Sequence, residues 1–587
     1  MQHPSLAHVQ KELMATKIKG DGQEDTIPAN DRTLASLLPQ RKIVDQLVQI
    51  YVDNFETTHR ILHLPSFWEE YTRLWTLPHE ARPEFVALVL LMIATTNCIK
   101  DKSPSMFRGD SSVERETAIM WIRNCDSWLR SQSQKHTTLC IYQLHCLSFM
   151  AKQMNSVKRK RTWMSAGNLM RLAMSAGLHR DAQIVNLRHA KHLGHKKVSL
   201  FEQEMRRRIW TTISELELQA AQERGMPAMT RDLVEDCGHP LNIDDEEFNQ
   251  ASEKLPESKP LSHFSRSSYL HLSRSSWPLR IELTSLINGP NSQMPYEDVI
   301  LYDKRIMQAL DAIPHWNDPA SMVSRILLRI QLQQLLLFLH RPFARDELWG
   351  TRYDYSAIVH LRSAMTIIDL HDQLSSIGNS YLCLFRNDTL GAALSICYNV
   401  SLSDTKTGKP FLLLFETWSA SLTMNLERRN LSRSSIVQLS GDPLNYLDKA
   451  LTMIEEKIMC VGAGLQEYYC VAAIIGLLKK RLLPEQSSNE DHGSAEKVSR
   501  MIQSVLQSQD NYSAAATLAS LPHMVCTPCL HSDCLLTTFV QPVQPIMATN
   551  GMPNGNEVPF PPSMHMDNIG MVDVSYFFRY QPSRSFS

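Results

Sequence analysis

The sequence predicts an all-α protein: one large multi-helix domain with disordered N- and C-terminal tails. From residue 41 onward, apolar residues recur at intervals of three and four, as they do along one face of a helix. Alternation with a period of two is nowhere sustained, so no substantial sheet is expected. The 587 residues, 43% of them hydrophobic, are enough to bury a sizeable core.

The clearest elements are two helices between residues 163 and 227. The apolar stripe of the first consists of Ala166, Leu169, Met170, Ala173 and Ala176, and Gly177 ends that helix. The stripe of the second consists of Phe201, Met205, Ile209, Ile213, Leu216 and Ala220, and Gly225 and Pro227 end it. Each stripe is expected to be buried against another element.

The same periodicity predicts further helices along the chain. One opens with Ile43, Leu47, Ile50 and Tyr51 and is broken by Pro65. The others are expected over residues 85–99, 112–129, 138–154, 262–286, 296–312, 321–340, 355–374, 390–402, 410–426, 444–459 and 466–483. The acidic, turn-rich segment 236–260 between them is expected to be a surface loop.

Composition excludes several classes of protein. The 60 basic and 61 acidic residues give a net charge of -1, so no whole-chain field attracts the protein to DNA or to a membrane. The longest apolar run, Phe85 to Ala94, is far shorter than the roughly 20 residues that cross a bilayer. Any contact with nucleic acid must therefore be local, and no membrane partner is expected.

Five short segments resemble the regulatory middle homology domain of the fungal zinc-cluster (binuclear Zn2Cys6) transcription factors. They read RILHLPSFWEEY at 60–71, RLAMSAGLHRD at 171–181, EMRRRIW at 204–210, GMP at 225–227 and LLLFLHRPF at 335–343. The positions that carry the resemblance are His63, Pro65, Trp163, Gly167, Arg171, Leu172, Ala173, Gly177, Leu178, His179, Arg180, Arg206, Arg207, Arg208, Trp210, Gly225, Pro227, His340, Arg341, Pro342 and Phe343.

The chain departs from the family pattern at three positions. Thr211 stands where the family usually has a second tryptophan, Glu217 stands where it has an aspartate, and Met226 stands where it has an arginine between glycine and proline. All three changes are compatible with a helix and its stripe. They put in doubt any function that depends on the missing arginine.

The six-thiolate zinc cluster with which this family reads DNA is missing from the sequence. Such a cluster needs six cysteines in a compact segment, and the first of the twelve cysteines here is Cys98. Two hypotheses follow. Either the chain acts through a DNA-bound partner, or its gene product is truncated and the zinc-cluster domain is unrecorded. Leu6, Val9 and Leu13 would then end a coiled-coil linker, although two turns alone cannot form one.

The resemblance implies a nuclear transcription regulator that controls a metabolic gene set, including secondary-metabolite biosynthetic genes. Its implied partners are a DNA-bound transcription factor or the transcription machinery, and a small-molecule effector. Four parts are expected: a disordered segment at 1–40, the regulatory domain at 41–350, a helical extension packed on it at 351–510, and a low-complexity tail at 511–587.

Two basic segments are candidates for contacts outside the chain. The run Lys158, Arg159, Lys160 and Arg161 is a nuclear-import candidate; phosphate contact and a solvated loop are the alternatives. The arginines 206–208 instead favour a structural role, because Glu202 and Glu204 precede Arg206 and Arg208 by four residues, the spacing of helical ion pairs. Arg206 is also expected to lie over the ring of Trp210.

No residue set nominates an active site, and no cofactor is expected. The weak metal candidate is Cys526, Cys529, His531 and Cys534, whose spacing is shorter than that of usual zinc ligands. An all-α enzyme of the terpene-synthase type would hold magnesium through carboxylates. Asp244, Asp245 and Glu247 imitate its first ligand set, and Asn317, Asp318 and Ser321 imitate the second. Arg325 stands where the closing carboxylate should be, so the protein is not expected to be an enzyme.

Overall fold

The computed structural model describes residues 30–99, 106–109, 111–132, 138–183, 198–230, 235–289, 294–345, 353–407, 442–482 and 497–509. Most of these residues are helical, which confirms the all-α prediction. The described strands are one two-residue antiparallel pair, β1 (Phe107–Arg108) and β2 (Ser111–Ser112). The predicted helix at 410–426, residues 1–29 of the predicted N-terminal tail, the predicted C-terminal tail and the zinc candidate at 526–534 lie outside the described residues.

Seventeen helices form the described part of the chain. Their bounds are α1 Asp31–Ser36, α2 Arg41–Asn54, α3 Leu64–Thr76, α4 Pro83–Thr96, α5 Val113–Ser131, α6 Leu139–Met154, α7 Thr162–Ser175, α8 Leu200–Arg224, α9 Ser268–Asn288, α10 Tyr296–Asp311, α11 Met322–Ala344, α12 Asp354–Ser376, α13 Tyr381–Phe385, α14 Asp388–Thr407, α15 Pro443–Val461, α16 Leu465–Leu482 and α17 497–509. Most agree with the predicted ranges to within a few residues.

The ends of α8 show how the sequence fixes a helix. The Ser199 hydroxyl accepts a hydrogen bond from the backbone N–H of Glu202, which caps the first turn. Gly225 ends the helix in the left-handed conformation, with φ at 61°, a backbone geometry that glycine adopts without steric cost. The predicted end of this helix at Gly225 is therefore confirmed, and the left-handed backbone conformation explains it.

Apolar side chains pack into one large core, two smaller neighbouring ones and two small clusters beside α8. The large core collects α1–α8, the beginnings of α9 and α11, the ends of α12 and α15, and α13. A second core lies among α12 and α14–α17, and a third lies among α9, α10 and α11. Leu337 of α11 belongs to the second core, so α11 reaches from the regulatory region to the C-terminal helices. The predicted division into four parts stays a prediction.

The prediction that residues 1–40 are disordered is wrong for residues 30–40. Asn30 caps α1, and Leu34 is fully buried in the large core. Two tryptophans of α5 hold the segment: Trp128 Nε1 donates to the Asp31 carboxylate at 2.8 Å, and Trp121 Nε1 donates to the Leu37 carbonyl at 3.2 Å. The local sequence is polar, and long-range contacts supply the order.

One segment, Pro319–Ala344, is long and apolar enough by composition to cross a membrane. Within the protein, 78% of its most apolar window is buried against other helices. That environment accounts for its apolar character as a core helix, and it gives no support to a membrane span.

We predict that Leu34→Ala lowers the free energy of unfolding by about 2–4 kcal/mol, because it leaves a cavity in the large core. Arg32→Ala, an exposed change in the same short helix, should alter it by less than about 0.5 kcal/mol. Urea unfolding followed by tryptophan fluorescence measures both. Equal, negligible effects of the two changes would mean that residues 30–40 do not pack as described.

Candidate functional site

The middle of α8 is buried on all sides although much of it is polar. Its apolar stripe lies in the core as predicted, but the opposite face is covered as well. The buried polar residues of this helix are Gln203, Glu204, Arg208, Thr211, Thr212, Ser214, Glu215, Glu217, Gln219 and Gln222. Buried charges are tolerated only where partners satisfy them, so these side chains define the polar interior of the molecule.

The first group of partners, the Asp245 cluster, joins Arg60, Glu204, Arg208 and Asp245. Arg208 Nη1 lies 2.6 Å from Asp245 Oδ1, and its Nε lies 3.1 Å from Glu204 Oε1. Arg60 forms a second ion pair with the same carboxylate of Asp245. The other Asp245 oxygen accepts the backbone N–H of Leu64 at 2.8 Å. One carboxylate thus ties α8 to the segment that precedes α3.

In and beside the Asp245 cluster, burial and the neighbouring charges shift the pKa values of the carboxyl groups in opposite directions. Burial alone would raise the pKa of Asp245, but the two arginines lower it overall. Burial raises the pKa of Glu204 despite the attraction of Arg208. It also raises the pKa of the nearby Glu56 to about 7, against the attraction of Arg60.

The prediction that 236–260 is a surface loop is therefore wrong for its centre. Asp245 is 2% exposed, and Asn242 and Ile243 are fully buried. His63 helps to hold this part of the loop: its Nε2 lies 2.9 Å from the Asp245 carbonyl and 3.0 Å from the Phe248 carbonyl. The loop is turn-rich, as predicted, but its acidic centre is an internal anchor.

A second group, the Glu215 cluster, lies two turns further along α8. Both oxygens of Glu215 bind the guanidinium of Arg280 from α9, in a two-pronged ion pair. Ser273 of α9 also donates to this carboxylate, and Gln331 Nε2 of α11 donates to it at 2.9 Å. Gln331 donates in addition to the Tyr269 hydroxyl at 2.8 Å. Three helices are joined at one carboxylate.

A third buried ion pair continues the polar interior toward the C-terminal helices. Arg386, which separates α13 from α14, pairs with Asp388, and its Nη2 donates to Gln334 Oε1 of α11 at 2.9 Å. His371 Nε2 of α12 lies 3.6 Å from the same aspartate. Burial raises the pKa of Asp388, but Arg386 and His371 lower it overall.

The arginines 206–208 have the structural role that the sequence predicts. Arg206 pairs with Glu202 at 3.5 Å and Arg207 pairs with Asp181 at 3.1 Å, in addition to the Arg208–Glu204 pair. The expected position of Arg206 over Trp210 is wrong. Arg206 Nη2 instead donates to the carbonyls of Ala176 and Gly177, at 3.0 and 3.2 Å, where the end of α7 leaves them without helical partners.

The 171–181 motif closes onto a second part of the acidic loop. Arg180 pairs with Asp236 at 2.8 Å, and Asp236 also accepts the backbone N–H of Asp181. Trp210 Nε1 donates to Glu235 at 2.8 Å. Of the other motif residues, Ala173 and Leu178 are buried in the large core, Leu172 packs against it, His179 lies near the Trp210 ring, and Arg171 and Pro227 are exposed.

The GMP turn packs over α7 and α8. Gly167 of α7 faces Met229, whose sulfur would lie 2.8 Å from an added Cβ, so a larger residue at 167 would have to displace the Met229 side chain. The N–H of Met229 donates to Glu217 Oε1 at 3.1 Å. Glu217 Oε2 is buried without a hydrogen-bond partner, and burial raises the pKa of this residue to about 7. Trp163 packs against the adjacent small cluster around Trp277.

His340 of the 335–343 motif lies between a serine and an aspartate from other helices, and this arrangement is structural. His340 Nδ1 lies 2.9 Å from Ser356 Oγ, and His340 Nε2 lies 3.2 Å from Asp303 Oδ1. Ser356 is fully buried and also bonds the Tyr296 hydroxyl at 3.2 Å, so its oxygen is inaccessible to a substrate. The arrangement pins α10, α11 and α12 together.

The remaining residues of this motif also pack within the fold. Arg341 lies over the Phe338 ring at 4.6 Å, and Phe343 packs against the rings of Tyr296 and Tyr353. Pro342 lies in the last turn of α11. At the other end of the regulatory region, Pro65 occupies the first turn of α3, a position that suits its missing N–H.

The basic run 158–161 forms a short 3-10 turn before α7. Lys158, Lys160 and Arg161 are exposed. Arg159 is turned inward: its Nη1 lies 2.7 Å from Glu467 of α16 and its Nη2 donates to Asn387 at 2.6 Å. The run therefore also joins the regulatory region to the C-terminal helices, and its import role stays a prediction.

The carboxylates that imitate a magnesium site do not converge. Asp244 and Glu247 bind Lys259, whereas Asp245 points to the buried arginines. Asp318 caps the short turn at 319–321. Within the described ranges, no group of three or more histidine, cysteine, aspartate or glutamate residues could hold a metal ion.

Sequence reasoning missed Glu215, Arg280, Gln331, Arg386 and Asp388. In the sequence these residues are single polar positions inside helices of otherwise apolar pattern, which gives little indication that they are buried and paired. Glu215, for example, lies between Ile213 and Leu216. Nothing in the spacing of such residues says which distant residue would satisfy them.

Comparisons with known proteins agree on a single class. Residues 48–310 match the family described as fungal specific transcription factor domain. Transcription factor opdR of Penicillium oxalicum is 30% identical over 390 residues, which are 63% of this chain and 47% of the relative. The equisetin cluster transcription factor eqxF of Fusarium heterosporum is 25% identical over 404 residues, 63% of this chain and 56% of the relative. The chain spans about half the length of the curated relatives it matches, and no solved structure matches it.

We predict that Arg208→Met lowers the free energy of unfolding by about 3–5 kcal/mol, because it leaves the carboxylates of Glu204 and Asp245 with fewer buried partners. Arg206→Met, which removes a half-buried neighbour, should cost about 1 kcal/mol. Urea unfolding of both variants provides the comparison. A neutral Arg208→Met variant would contradict the assigned role of the Asp245 cluster.

Glu217 generates a prediction about pH. Its pKa is raised from the unfolded value of 4.5 to about 7 in the folded protein. Folding therefore favours the protonated carboxyl, so this contribution to stability is complete below pH 4.5 and is lost as pH rises to about 7. Glu217→Gln should raise the free energy of unfolding by about 1–3 kcal/mol at pH 8 and by progressively less below pH 7.

Thermal unfolding of Glu217→Gln and wild type from pH 5 to pH 8 measures this difference. Glu202→Gln, at a more exposed position of the same helix, serves as the control and should show no comparable gain at pH 8. A pH-independent difference between wild type and Glu217→Gln would contradict the titration of Glu217 in this range.

Proposed function

We propose that this chain, which belongs to the fungal zinc-cluster transcription factors through its regulatory domain, controls the transcription of a metabolic gene set. The observation that carries the proposal is the match of residues 48–310 to that domain, together with relatives that are transcription factors. Two of them are named for the equisetin and fusarisetin A clusters. We infer that the targets here are likewise the genes of a biosynthetic cluster, and that the protein works in the nucleus.

DNA recognition is proposed to come from outside the described helices. The arginines 206–208 are all paired with carboxylates, and Arg159 of the basic run 158–161 is turned inward. A DNA-contacting stripe needs several basic groups free to meet phosphates. Either a DNA-bound partner or a zinc-cluster segment encoded with this chain would supply that contact.

A regulatory role is favoured over a catalytic one. The magnesium-like carboxylates are occupied by Lys259 and by buried arginines, and the Ser356 hydroxyl is inaccessible. A small-molecule effector remains part of the proposal, as the resemblance to the family implies.

We predict that the purified 587-residue protein binds duplex DNA weakly and without sequence preference. Fluorescence anisotropy against duplexes with paired CGG triplets, and against scrambled duplexes, measures this across a salt series. We expect dissociation constants of about 1 μM or weaker at physiological salt, since binding would rest on non-specific charge alone. A nanomolar complex that distinguishes the two sequences would overturn the proposal that recognition comes from elsewhere.

The regulatory role itself is tested in the cell. Deletion of the gene should change the transcripts of a contiguous set of metabolic genes, as measured by RNA sequencing. Reintroduction of the wild-type chain should restore them, whereas Arg208→Met should not if the folded Asp245 cluster is required. An unchanged transcript profile under conditions where the gene is expressed would contradict the proposed function.

A further inference from the structure

Two neighbouring arginines of α11, Arg325 and Arg329, lie half-buried with no ion pair or hydrogen bond to their side chains among the described residues. They are one helical turn apart and therefore share a face. In contrast, the fully buried arginines Arg208, Arg280 and Arg386 each form an ion pair with a carboxylate.

The pair is electrostatically unfavourable as it stands. Like charges four residues apart on a helix repel each other. Burial lowers the pKa of Arg329, and the charge of Arg325 lowers it further, against the attraction of Asp311 at the end of α10. Arg325 also lies in the first turn of α11, where the helix dipole adds positive potential. The repulsion between the two arginines and the helix dipole both favour an added negative charge, and Asp311 opposes it.

The backbone around the start of α11 is held by several contacts. The connection between α10 and α11 is anchored by Trp316, which is 4% exposed and donates from Nε1 to the Leu261 carbonyl at 2.9 Å. Ile313 of this connection packs against both the large core and the third core. Ser324, next to Arg325, donates to the Thr57 carbonyl at 3.0 Å. The backbone that carries the pair is thus held on several sides.

We propose that Arg325 and Arg329 form a binding site for a small oxyanion ligand, a phosphate or a polycarboxylate. Side chains four residues apart on a helix have Cβ atoms about 5–6 Å apart, so two guanidinium groups can converge on one anion. Each guanidinium offers two parallel N–H donors that match the oxygens of phosphate or carboxylate. Two guanidinium charges attract a dianion more strongly than a monoanion, although Asp311 opposes either anion.

The test compares sodium phosphate with sodium chloride at equal ionic strength, using thermal unfolding of the full 587-residue protein. We expect phosphate to raise the melting temperature by about 1–3 °C more than chloride does. The double variant R325Q/R329Q should lose this excess. The control R123Q/R130Q removes the same charge from exposed positions of α5 and should retain it. Citrate in place of phosphate identifies a polycarboxylate as the preferred form.

Phosphorus NMR gives a readout that is independent of stability. Wild-type protein should broaden the phosphate resonance, and R325Q/R329Q should not. Without phosphate, the double variant should melt at the wild-type temperature or slightly above it, since a repulsion has been removed. The proposal is overturned if all three proteins respond alike to phosphate, or if the double variant is strongly destabilised without it, because the arginines would then be satisfied within the fold. It does not depend on the regulatory function, so failure of either leaves the other intact.

Discussion

The burial of a charged helix is the constraint on which the rest of this structure depends. Along α8, Glu204, Arg208 and Glu215 are removed from water, at a cost of several kcal/mol for each charge that is left without a partner. Arg208 pairs with Asp245 and Glu215 pairs with Arg280, both far away in sequence, whereas Glu204 pairs with Arg208 one turn along the same helix. The helices around α8 are therefore placed by specific ion pairs as well as by apolar packing.

This arrangement explains why the motif residues recur where they do. His63 fixes the loop that carries Asp245, Arg206 covers the open carbonyls at the end of α7, and Gly167 lets Met229 approach. None of these residues is exposed in a way that suits direct reading of DNA. The motif residues therefore describe how the helices are joined.

The polar interior also connects the regulatory region with the C-terminal helices. Gln331 and Gln334 of α11 belong to the Glu215 cluster and to the Arg386–Asp388 pair, respectively. At the surface, Arg159 reaches Glu467 and Asn387 across the same boundary. A shift of the helices in the regulatory region would thus act on the C-terminal helices through polar contacts of fixed geometry. Apolar packing alone would transmit less geometric specificity between these parts.

The sequence by itself determined the helical class, most helix positions, the stop at Gly225 and the resemblance to a transcription factor family, because each is encoded by local periodicity or by a short motif. It also predicted the ion pairs within α8, since their partners are one turn apart. The tertiary structure alone decided that the polar face of α8 is buried, that Asp245 is an internal anchor, and that Leu34 belongs to the core. The physical reason is that these outcomes depend on partners tens to hundreds of residues away. A helix with one apolar and one polar face predicts a solvated polar face, and only the assembled fold shows that the face is covered.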